Sequence, residues 1–158
     1  MKVAEVMTRN VQSCTPETNL AAAAMQMWDG DCGALPVVDD KGRVLGMITD
    51  RDICIAAATK HQDIASIKVG EVTTGEVQSC GPETSVRDVL KIFEKARVRR
   101  LPVVDKDNKL QGILSISDIV LHTGEGRDKK TIDVSYAEVA NTFKAICSPH
   151  GKAAAAGA

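Results

Sequence analysis

The sequence lacks a long apolar run. Its longest, Leu20 to Met25, is far shorter than the roughly 20 residues that a transmembrane helix needs. Near the amino terminus, Glu5 lies where a secretory signal peptide would have its apolar segment. We therefore expect a cytoplasmic protein without a membrane partner.

The sequence also lacks an excess of charge of either sign. Lys and Arg together number 20, Asp and Glu number 21, and the formal net charge at pH 7 is −1. Nucleic-acid binding depends on clustered Lys and Arg that contact phosphates, so no nucleic-acid partner is expected. The hydrophobic fraction of 44% is that of an ordinary folded domain.

Catalytic motifs are absent as well. The sequence contains no Walker or dinucleotide-binding loop, and no Ser-His-Asp or Cys-His arrangement in a known context. Its glycines at positions 30, 33, 42 and 46 are interpreted as turn and strand-end glycines. We predict that the protein is not an enzyme.

The five cysteines are an odd number and do not suggest a set of disulfides. We interpret four of them as small apolar side chains of the core: Cys14, Cys32, Cys54 and Cys80. The fifth, Cys147, lies three residues before His150, and this pair supplies half of a zinc site. A complete site would need ligands from a second subunit, from His61 or from His122.

What the sequence contains is an internal repeat. Residues 3–53 align with residues 69–119 at a constant offset of 66 residues, without a gap. The densest matches are Leu35-Pro36-Val37-Val38-Asp39 with Leu101-Pro102-Val103-Val104-Asp105, and Gly46 to Ile53 with Gly112 to Ile119. Such a period indicates two copies of one supersecondary unit, each too small to bury enough surface alone. We predict that the copies pack together and that the functional site lies between them.

Each copy has the pattern strand, helix, strand, turn, strand, helix. Short strands are predicted at Val11–Cys14 and Val77–Cys80, each ended by a following proline. Thr18 and Thr84 are the predicted N-caps of the first helices. The apolar residues of those helices recur at i, i+4 and i+7: Leu20, Ala24 and Met27, then Val86, Leu90 and Phe93. Two apolar runs around a polar turn predict a hairpin in each copy.

The chain continues beyond the second copy with a polar, glycine-containing linker at residues 124–130. Ser135 and Glu138 have capping-box spacing, and an apolar stripe predicts a short helix: Tyr136, Val139, Ala140, Phe143, Ile146 and Cys147. A helix of this length is marginal alone, so we expect it to dock on the partner of a homodimer. The predicted divisions are residues 1–60 and 61–124 for the copies, 125–150 for the linker and helix, and 151–158 for a frayed tail.

The second helices are predicted to begin at Thr49 and Ser115, where two interpretations remain open. Thr49 with Asp52, and Ser115 with Asp118, have the spacing of a capping box, which needs no ligand. A carboxylate at this position can also accept hydrogen bonds from both hydroxyls of a ribose.

Doubled at one offset, the Leu-Pro-Val-Val-Asp strands and the glycine-led strand ends resemble those of a tandem cystathionine-β-synthase (CBS) domain pair, or Bateman module. The resemblance covers residues 3–121, and Phe143 to Pro149 is similar to the tail of bacterial pairs of the hypoxic-response type. It implies an α/β (α+β) fold of two β-α-β-β-α repeats about a pseudo-twofold axis, followed here by the short C-terminal helix. It also implies a homodimer and two clefts that take adenosine nucleotides.

For the site, the resemblance implies that Thr49 and Asp52 line one cleft and that Ser115 and Asp118 line the other, each Asp accepting from ribose hydroxyls.

Two consecutive arginines distinguish the copies, since Arg99 and Arg100 have no basic counterpart in the first copy. The resemblance implies that they pair with phosphates, for which a guanidinium is well suited. We therefore expect the cleft of Asp118 to take the more phosphorylated ligand, whereas Arg51 can supply a positive charge to the other cleft.

The predicted function is that of a stand-alone regulatory signal-transduction module. Its ligand is expected to be an adenosine-containing small molecule such as AMP, ADP, ATP, NAD or S-adenosylmethionine, and its dimer to act on an unknown downstream protein through a ligand-dependent change of state. The alternative is a metal- or redox-responsive stress protein, in which Cys147 and His150 act at the subunit interface, with zinc as the candidate metal.

Overall fold

The structure, a computed structural model, describes residues 1–73, 76–123 and 134–149. Helices and short antiparallel hairpins alternate along the chain, which confirms the α+β class. The elements are α1 (Val3–Val6), α2 (Leu20–Asp29), β1 (Ala34–Val38), β2 (Val44–Thr49), α3 (Asp50–Thr59), a 3-10 turn (Val69–Glu71), α4 (Val86–Ala96), β3 (Arg100–Val104), β4 (Leu110–Ser115), α5 (Ile116–His122) and α6 (Tyr136–Cys147). None of the described helices is long and apolar enough to cross a membrane.

The first long helix of each copy begins one residue later than predicted. Asn19 and Ser85 are the N-caps, and the side chain of each accepts a hydrogen bond from a backbone N–H in the first turn. Thr18 and Thr84 instead accept from the backbone N–H three residues earlier, at 3.1 Å. Their hydroxyls therefore close the proline-containing turn before the helix, so the predicted threonine caps are wrong.

The hairpins β1–β2 and β3–β4 have matching registers, with Ala34 opposite Thr49 and Arg100 opposite Ser115. The strands predicted before α2 and α4 are reduced to single parallel bridges, one at Cys14 and one at Cys80. Each is followed two residues later by a proline, which has no N–H to continue the pairing. The predicted strands at Val11–Cys14 and Val77–Cys80 are thus corrected to one paired residue each.

Each copy packs a segment from the start of the other copy into its core. Val3 and Val6 belong to the core of the second copy, and Ile67 and Val69 to that of the first. Thr8 exchanges two backbone hydrogen bonds with Ile113 of β4, at 3.0 and 2.9 Å. The packing units therefore interlock across the sequence division, which explains why the two copies form one body.

Equivalent positions supply the two cores, but only two of the cysteines are buried. Cys14 and Cys80 are 3% and 6% exposed, and burial raises the pKa of each thiol to about 11. Cys32 and Cys54 are exposed. Their prediction as core residues is wrong, because Cys32 follows the end of α2 and Cys54 lies on the outer face of α3.

Helix α6 packs on α4 and α5 of its own chain through Val139, Thr142 and Ile146, which are its buried residues. The Thr142 hydroxyl donates to Glu94 Oε1 at 2.6 Å. The expectation that this helix docks on a partner is corrected for this face, because Val139 and Ile146 complete the core of the second copy. The linker predicted at 124–130 and the tail at 151–158 lie outside the described residues.

Candidate functional site

A capping box is present where each second hairpin strand leads into a helix. In the second copy, the N–H and hydroxyl of Ser115 donate to Asp118 Oδ2 at 2.7 and 2.6 Å, and the Asp118 N–H donates back to the hydroxyl at 3.2 Å. Thr49 and Asp52 make the same three hydrogen bonds at 2.9, 2.7 and 3.2 Å. The sequence pattern therefore has a structural role in both copies.

The capping box uses only one oxygen atom of each carboxylate. Every side-chain hydrogen bond of Asp52 and Asp118 within the described ranges goes to Oδ2. Oδ1 of either residue is thus able to accept from a ligand hydroxyl without breaking the helix cap. Capping and ligand binding are compatible in this geometry.

A cavity of about 430 Å³ lies between the copies at the second of these boxes. Ser115, Asp118 and Arg100 line it from the second copy, and residues 30–34 line it from the first. Asn10 to Gln12 form a further part of the wall. Asp50 approaches the backbone of this wall closely, since a Cβ on Gly33 would be 2.8 Å from Asp50 Oδ2. The volume is in the range of small-molecule sites.

Arg100 supplies the positive charge of this cavity. It begins β3 opposite Ser115, and its Nη2 reaches to 3.6 Å from the position that a Cβ of Gly33 would occupy. The side chain thus spans from the second copy to the loop of the first. Among the described residues Arg100 makes no ion pair, so its guanidinium remains available for an anionic group.

Arg99, in contrast, points to helix α6. Its guanidinium lies 5.4 Å from the ring centroid of Phe143, and its Nη2 is 3.9 Å from Cys147 Sγ. Arg99 does not line the Asp118 cavity, which corrects the expectation that both arginines face it. Sequence reasoning missed this placement because the position of α6 is set by packing, not by local pattern.

The corresponding site of the first copy is described in part. Thr49 and Asp52 form their capping box, and Arg51 is exposed in the first turn of α3. Neither of the cavities described for the chain includes these three residues. By repeat equivalence, Thr8 of the second site corresponds to residue 74, which lies outside the described residues together with residue 75.

The predicted metal ligands do not form a site within the described chain. Cys147 is exposed at the end of α6, and His150 lies outside the described residues. In the ranges that the structure describes, no three His, Cys, Asp or Glu side chains are close enough to hold a metal ion. The guanidinium of Arg99 beside Cys147 Sγ also opposes a second cation there. A zinc site therefore does not fit this part of a single chain.

Sequence reasoning also missed residues of the cavity. Asn10, Gln12 and Asp31 line it, although only the capping-box residues and arginines were predicted. For Asp31 the sequence does contain a signal, because residues 30–34 differ from the equivalent residues 96–100. For Asn10 and Gln12 there is none, because they reach the site through the pairing of Thr8 with β4.

Comparison with known proteins identifies relatives over most of the chain. The family model described as CBS domain matches residues 3–58 and 69–124. Hypoxic response protein 1 of Mycobacterium tuberculosis is 32% identical over 145 residues, which cover 92% of this chain and 93% of that protein. A crystal structure of hypoxic response protein I with two coordinated zinc ions has a TM-score of 0.72 and 31% identity, and covers 78% of this chain and 100% of that one.

Two further solved structures contain adenosine compounds. CBSX2 in complex with AMP has a TM-score of 0.68 and 28% identity, and covers 77% of this chain and 94% of that one. The CBS domain pair of protein MJ0100 in complex with 5-methylthioadenosine and S-adenosyl-L-methionine has a TM-score of 0.71 and 25% identity, and covers 78% of this chain and 100% of that one. The similarity extends over both copies of the repeat.

Proposed function

The chain belongs to the CBS domain family, and from this premise we propose that it is a non-catalytic regulatory module that binds an adenosine nucleotide in the cavity of Ser115 and Asp118. The observation that carries the proposal is a cavity of about 430 Å³ lined by both copies, with a carboxylate and an unpaired guanidinium. AMP in CBSX2 and adenosine compounds in the MJ0100 pair support the ligand class.

In the proposed complex, two side chains divide the recognition of the ligand. Asp118 Oδ1 accepts from the ribose hydroxyls while Oδ2 keeps its capping hydrogen bonds. Arg100 binds a phosphate, since a planar guanidinium can donate two parallel hydrogen bonds to one phosphate group. The cavity therefore favours a phosphorylated adenosine over adenosine itself.

Because Arg100 and residues 30–34 come from different copies, a bound ligand ties the two copies together. It can thereby favour one relative arrangement of the copies over another, to the extent that its affinity differs between them. We propose that this change in a homodimer is read by a downstream protein.

Thermal unfolding with AMP, ADP, ATP, NAD and S-adenosylmethionine tests the ligand class. A ligand at about 100 times its Kd adds roughly 2.7 kcal/mol to the free energy of unfolding, and in a chain of this size this corresponds to about 5–10 °C in Tm. Parallel melts with zinc and with a chelator test the metal alternative. Stabilisation by zinc alone, with no nucleotide response at millimolar concentration, would contradict the proposal.

The two capping boxes offer a matched pair of variants. Asp118→Asn and Asp52→Asn disturb equivalent caps, but only the first removes the carboxylate from the described cavity. We expect calorimetry to show an affinity for nucleotide about 10- to 100-fold lower in Asp118→Asn and a much smaller change at the Asp118 cavity in Asp52→Asn. If the two variants bind nucleotide with equal affinity, the carboxylates have only a capping role.

A further inference from the structure

The charged side chains that line the cavity of Asp118 are two acids and one base. They are Asp31, Arg100 and Asp118. Sites for polyphosphates are usually lined by an excess of Lys and Arg, because a cleft with charge of one sign attracts ligands of the opposite sign. The formal charge of these three side chains at pH 7 is negative instead. The cavity therefore has positive charge for a single anionic group.

Arg100 is the one base of this cavity because the neighbouring arginine faces another part of the fold. The guanidinium of Arg99 lies against the ring of Phe143, and Arg51 lines neither of the two described cavities. The expectation that the Asp118 cleft takes the more phosphorylated ligand depended on two arginines. With Arg100 alone, one phosphate group uses all of the positive charge that the lining side chains supply.

A second cavity, of about 480 Å³, adjoins the first, and we call it the α2–α3 cavity. Asp31, Cys32, Gly33 and Arg100 line both cavities and therefore form the boundary between them. The other residues of the α2–α3 cavity are Ala24, Met27 and Trp28 of α2, and Asp50 and Ile53 of α3. A ligand with its ribose at Asp118 and its first phosphate at Arg100 reaches this boundary, and a longer phosphate chain extends along it.

An acid lies close to Arg100 at this boundary. Asp50 Oδ2 and Arg100 Nη2 are 2.8 and 3.6 Å from the position that a Cβ of Gly33 would occupy. The backbone N–H of Asp50 donates to the carbonyl of Gly33 at 3.2 Å, which holds Asp50 beside this wall. Its Oδ1 accepts from the N–H of Arg51 at 2.7 Å, so this amide at the start of α3 is not available to a phosphate. The α2–α3 cavity thus offers a second or third phosphate a carboxylate and no further base.

Asp31 places a second carboxylate at the boundary. It is exposed, and within the described ranges its side chain makes no hydrogen bond or ion pair. Its backbone is left-handed, with a φ of 46°, and the equivalent residue of the second copy, Arg97, has a φ of 53°. The fold therefore sets the backbone conformation at this position and leaves the sign of the charge free. An acid in the first copy and a base in the second indicate that the charge has a role other than folding.

We propose that Asp31 is a specificity-determining residue of the Asp118 cavity and restricts its ligand to an adenosine with one phosphate group. Arg100 neutralises the first phosphate, whereas the carboxylates of Asp31 and Asp50 repel the second and third phosphates of ADP and ATP. Like charges brought together at a binding site are unfavourable and exclude the wrong ligand. This preference rests on the proposed nucleotide function and adds to it the number of phosphates that the cavity accepts.

Calorimetry of the full chain with AMP, ADP and ATP tests the preference. The buffer contains EDTA, because a divalent cation would neutralise part of the polyphosphate charge. The binding event that Asp118→Asn weakens identifies the cavity. We expect the wild type to bind AMP there at least about 10-fold more tightly than ATP, with ADP between them.

A matched pair of variants tests the role of Asp31. Asp31→Asn keeps the size of the side chain and a residue type that tolerates the left-handed backbone, but removes the charge. It should lower the ratio of the ATP Kd to the AMP Kd by about 3- to 10-fold. Asp29→Asn is the control, because Asp29 is also exposed and the same charge is lost, but it lines neither cavity. It should leave the ratio unchanged.

A third variant separates charge from size. Asp31→Arg fits the backbone, since Arg97 has the same conformation in the second copy. If repulsion sets the preference, this variant should bind ATP at least as tightly as AMP. Weaker ATP binding than in the wild type would mean that the wall excludes ATP by its size, and would overturn the proposal.

The failure of this proposal is distinguishable from the failure of the nucleotide function. A wild type that binds ATP as tightly as AMP, or an unchanged ratio in Asp31→Asn, would overturn the role of Asp31 and leave the nucleotide function intact. A chain that binds none of the three nucleotides would overturn the proposed function and, with it, the preference for one phosphate.

Discussion

Cys14 and Cys80 occupy the same buried position in the two copies of the repeat, whereas Gly33 and Arg99 occupy the same position at the surface and have different roles. The thiols pack in equivalent cores. Gly33 lines the cavity between the copies, but Arg99 contacts helix α6. The two copies thus share these buried thiols but differ at a position where one meets a cavity and the other meets a helix.

The difference follows from how strongly each environment constrains the side chain. In a close-packed core, a change in volume is costly, and at several buried positions the two copies keep the same residue, as at Leu35 and Leu101 and at Val37 and Val103. On the outer face, α6 packs on the second copy and the equivalent face of the first copy remains open, and Arg87 and Glu94 correspond there to Ala21 and Trp28. The two outer faces therefore differ in what covers them: α6 packs on one, and the other remains exposed.

The largest expected difference is in the reactivity of buried and exposed thiols. Cys14 and Cys80, with pKa values raised to about 11 from 9.0 by burial, should hold about 100-fold less thiolate than a thiol of ordinary pKa. We expect a thiol reagent at pH 7.5 to modify Cys32, Cys54 and Cys147 rapidly and the two buried thiols at least about 100-fold more slowly. Mass spectrometry of the labelled peptides would measure both rates, and equal rates for Cys14 and Cys32 would contradict the burial pattern.

The buried and exposed apolar residues of α6 should differ clearly in their contribution to stability. Ile146 lies in the core of the second copy, so Ile146→Ala is expected to lower the free energy of unfolding by about 2–3 kcal/mol. Phe143→Ala in the monomeric state should cost less than about 1 kcal/mol, because the ring is partly exposed. Urea unfolding at low protein concentration measures both values. A larger cost for Phe143→Ala would mean that the helix docks by the other face.

Two equivalent glycines test the interlocked segments. A Cβ on Gly112 would lie 2.6 Å from the carbonyl oxygen of Thr8, whereas a Cβ on Gly46 would lie 2.5 Å from the methyl group of Thr73. A backbone atom paired with β4 cannot rotate away, but a side-chain methyl can. We therefore expect Gly112→Ala to cost about 1–3 kcal/mol and Gly46→Ala about 1 kcal/mol or less, as measured by chemical unfolding. The reverse order would show that the Thr8 segment is loosely held.

The smallest expected effect is a pH dependence confined to α6. The backbone N–H and hydroxyl of Ser135, and then Arg87, hold the pKa of Glu138 below its ordinary value of 4.5. A lowered carboxylate pKa stabilises the folded form above the unfolded pKa, and this contribution is lost as the pH falls through the folded pKa. We expect the protection of the α6 amides from exchange, taken relative to the intrinsic rate at each pH, to decrease below about pH 4.5, and Glu138→Gln to remove that dependence. Helix α2 begins with Asn19 and no capping carboxylate, so its amides are the internal control.

Several features of the fold could be predicted from the sequence because they depend on local pattern. The repeat, the hairpins and the helix starts at Thr49 and Ser115 follow from periodicity, turn residues and capping chemistry. The pairing of Ser115 with Asp118 depends on neighbours three residues apart. These interactions act over a few residues, so the sequence contains all their participants.

The remaining features depend on contacts between residues distant in the chain. Arg99 and Arg100 are adjacent in sequence and alike in chemistry, yet one lies against Phe143 and the other lines the cavity with Asp118. Arg99 precedes β3 and Arg100 begins it, and what each side chain meets is decided by the packing of α6 and of the first copy. The sequence by itself therefore determined the duplicated unit and its capped helix starts, whereas the tertiary structure alone decided which arginine serves the cavity and which copy keeps an open groove, because both depend on long-range packing.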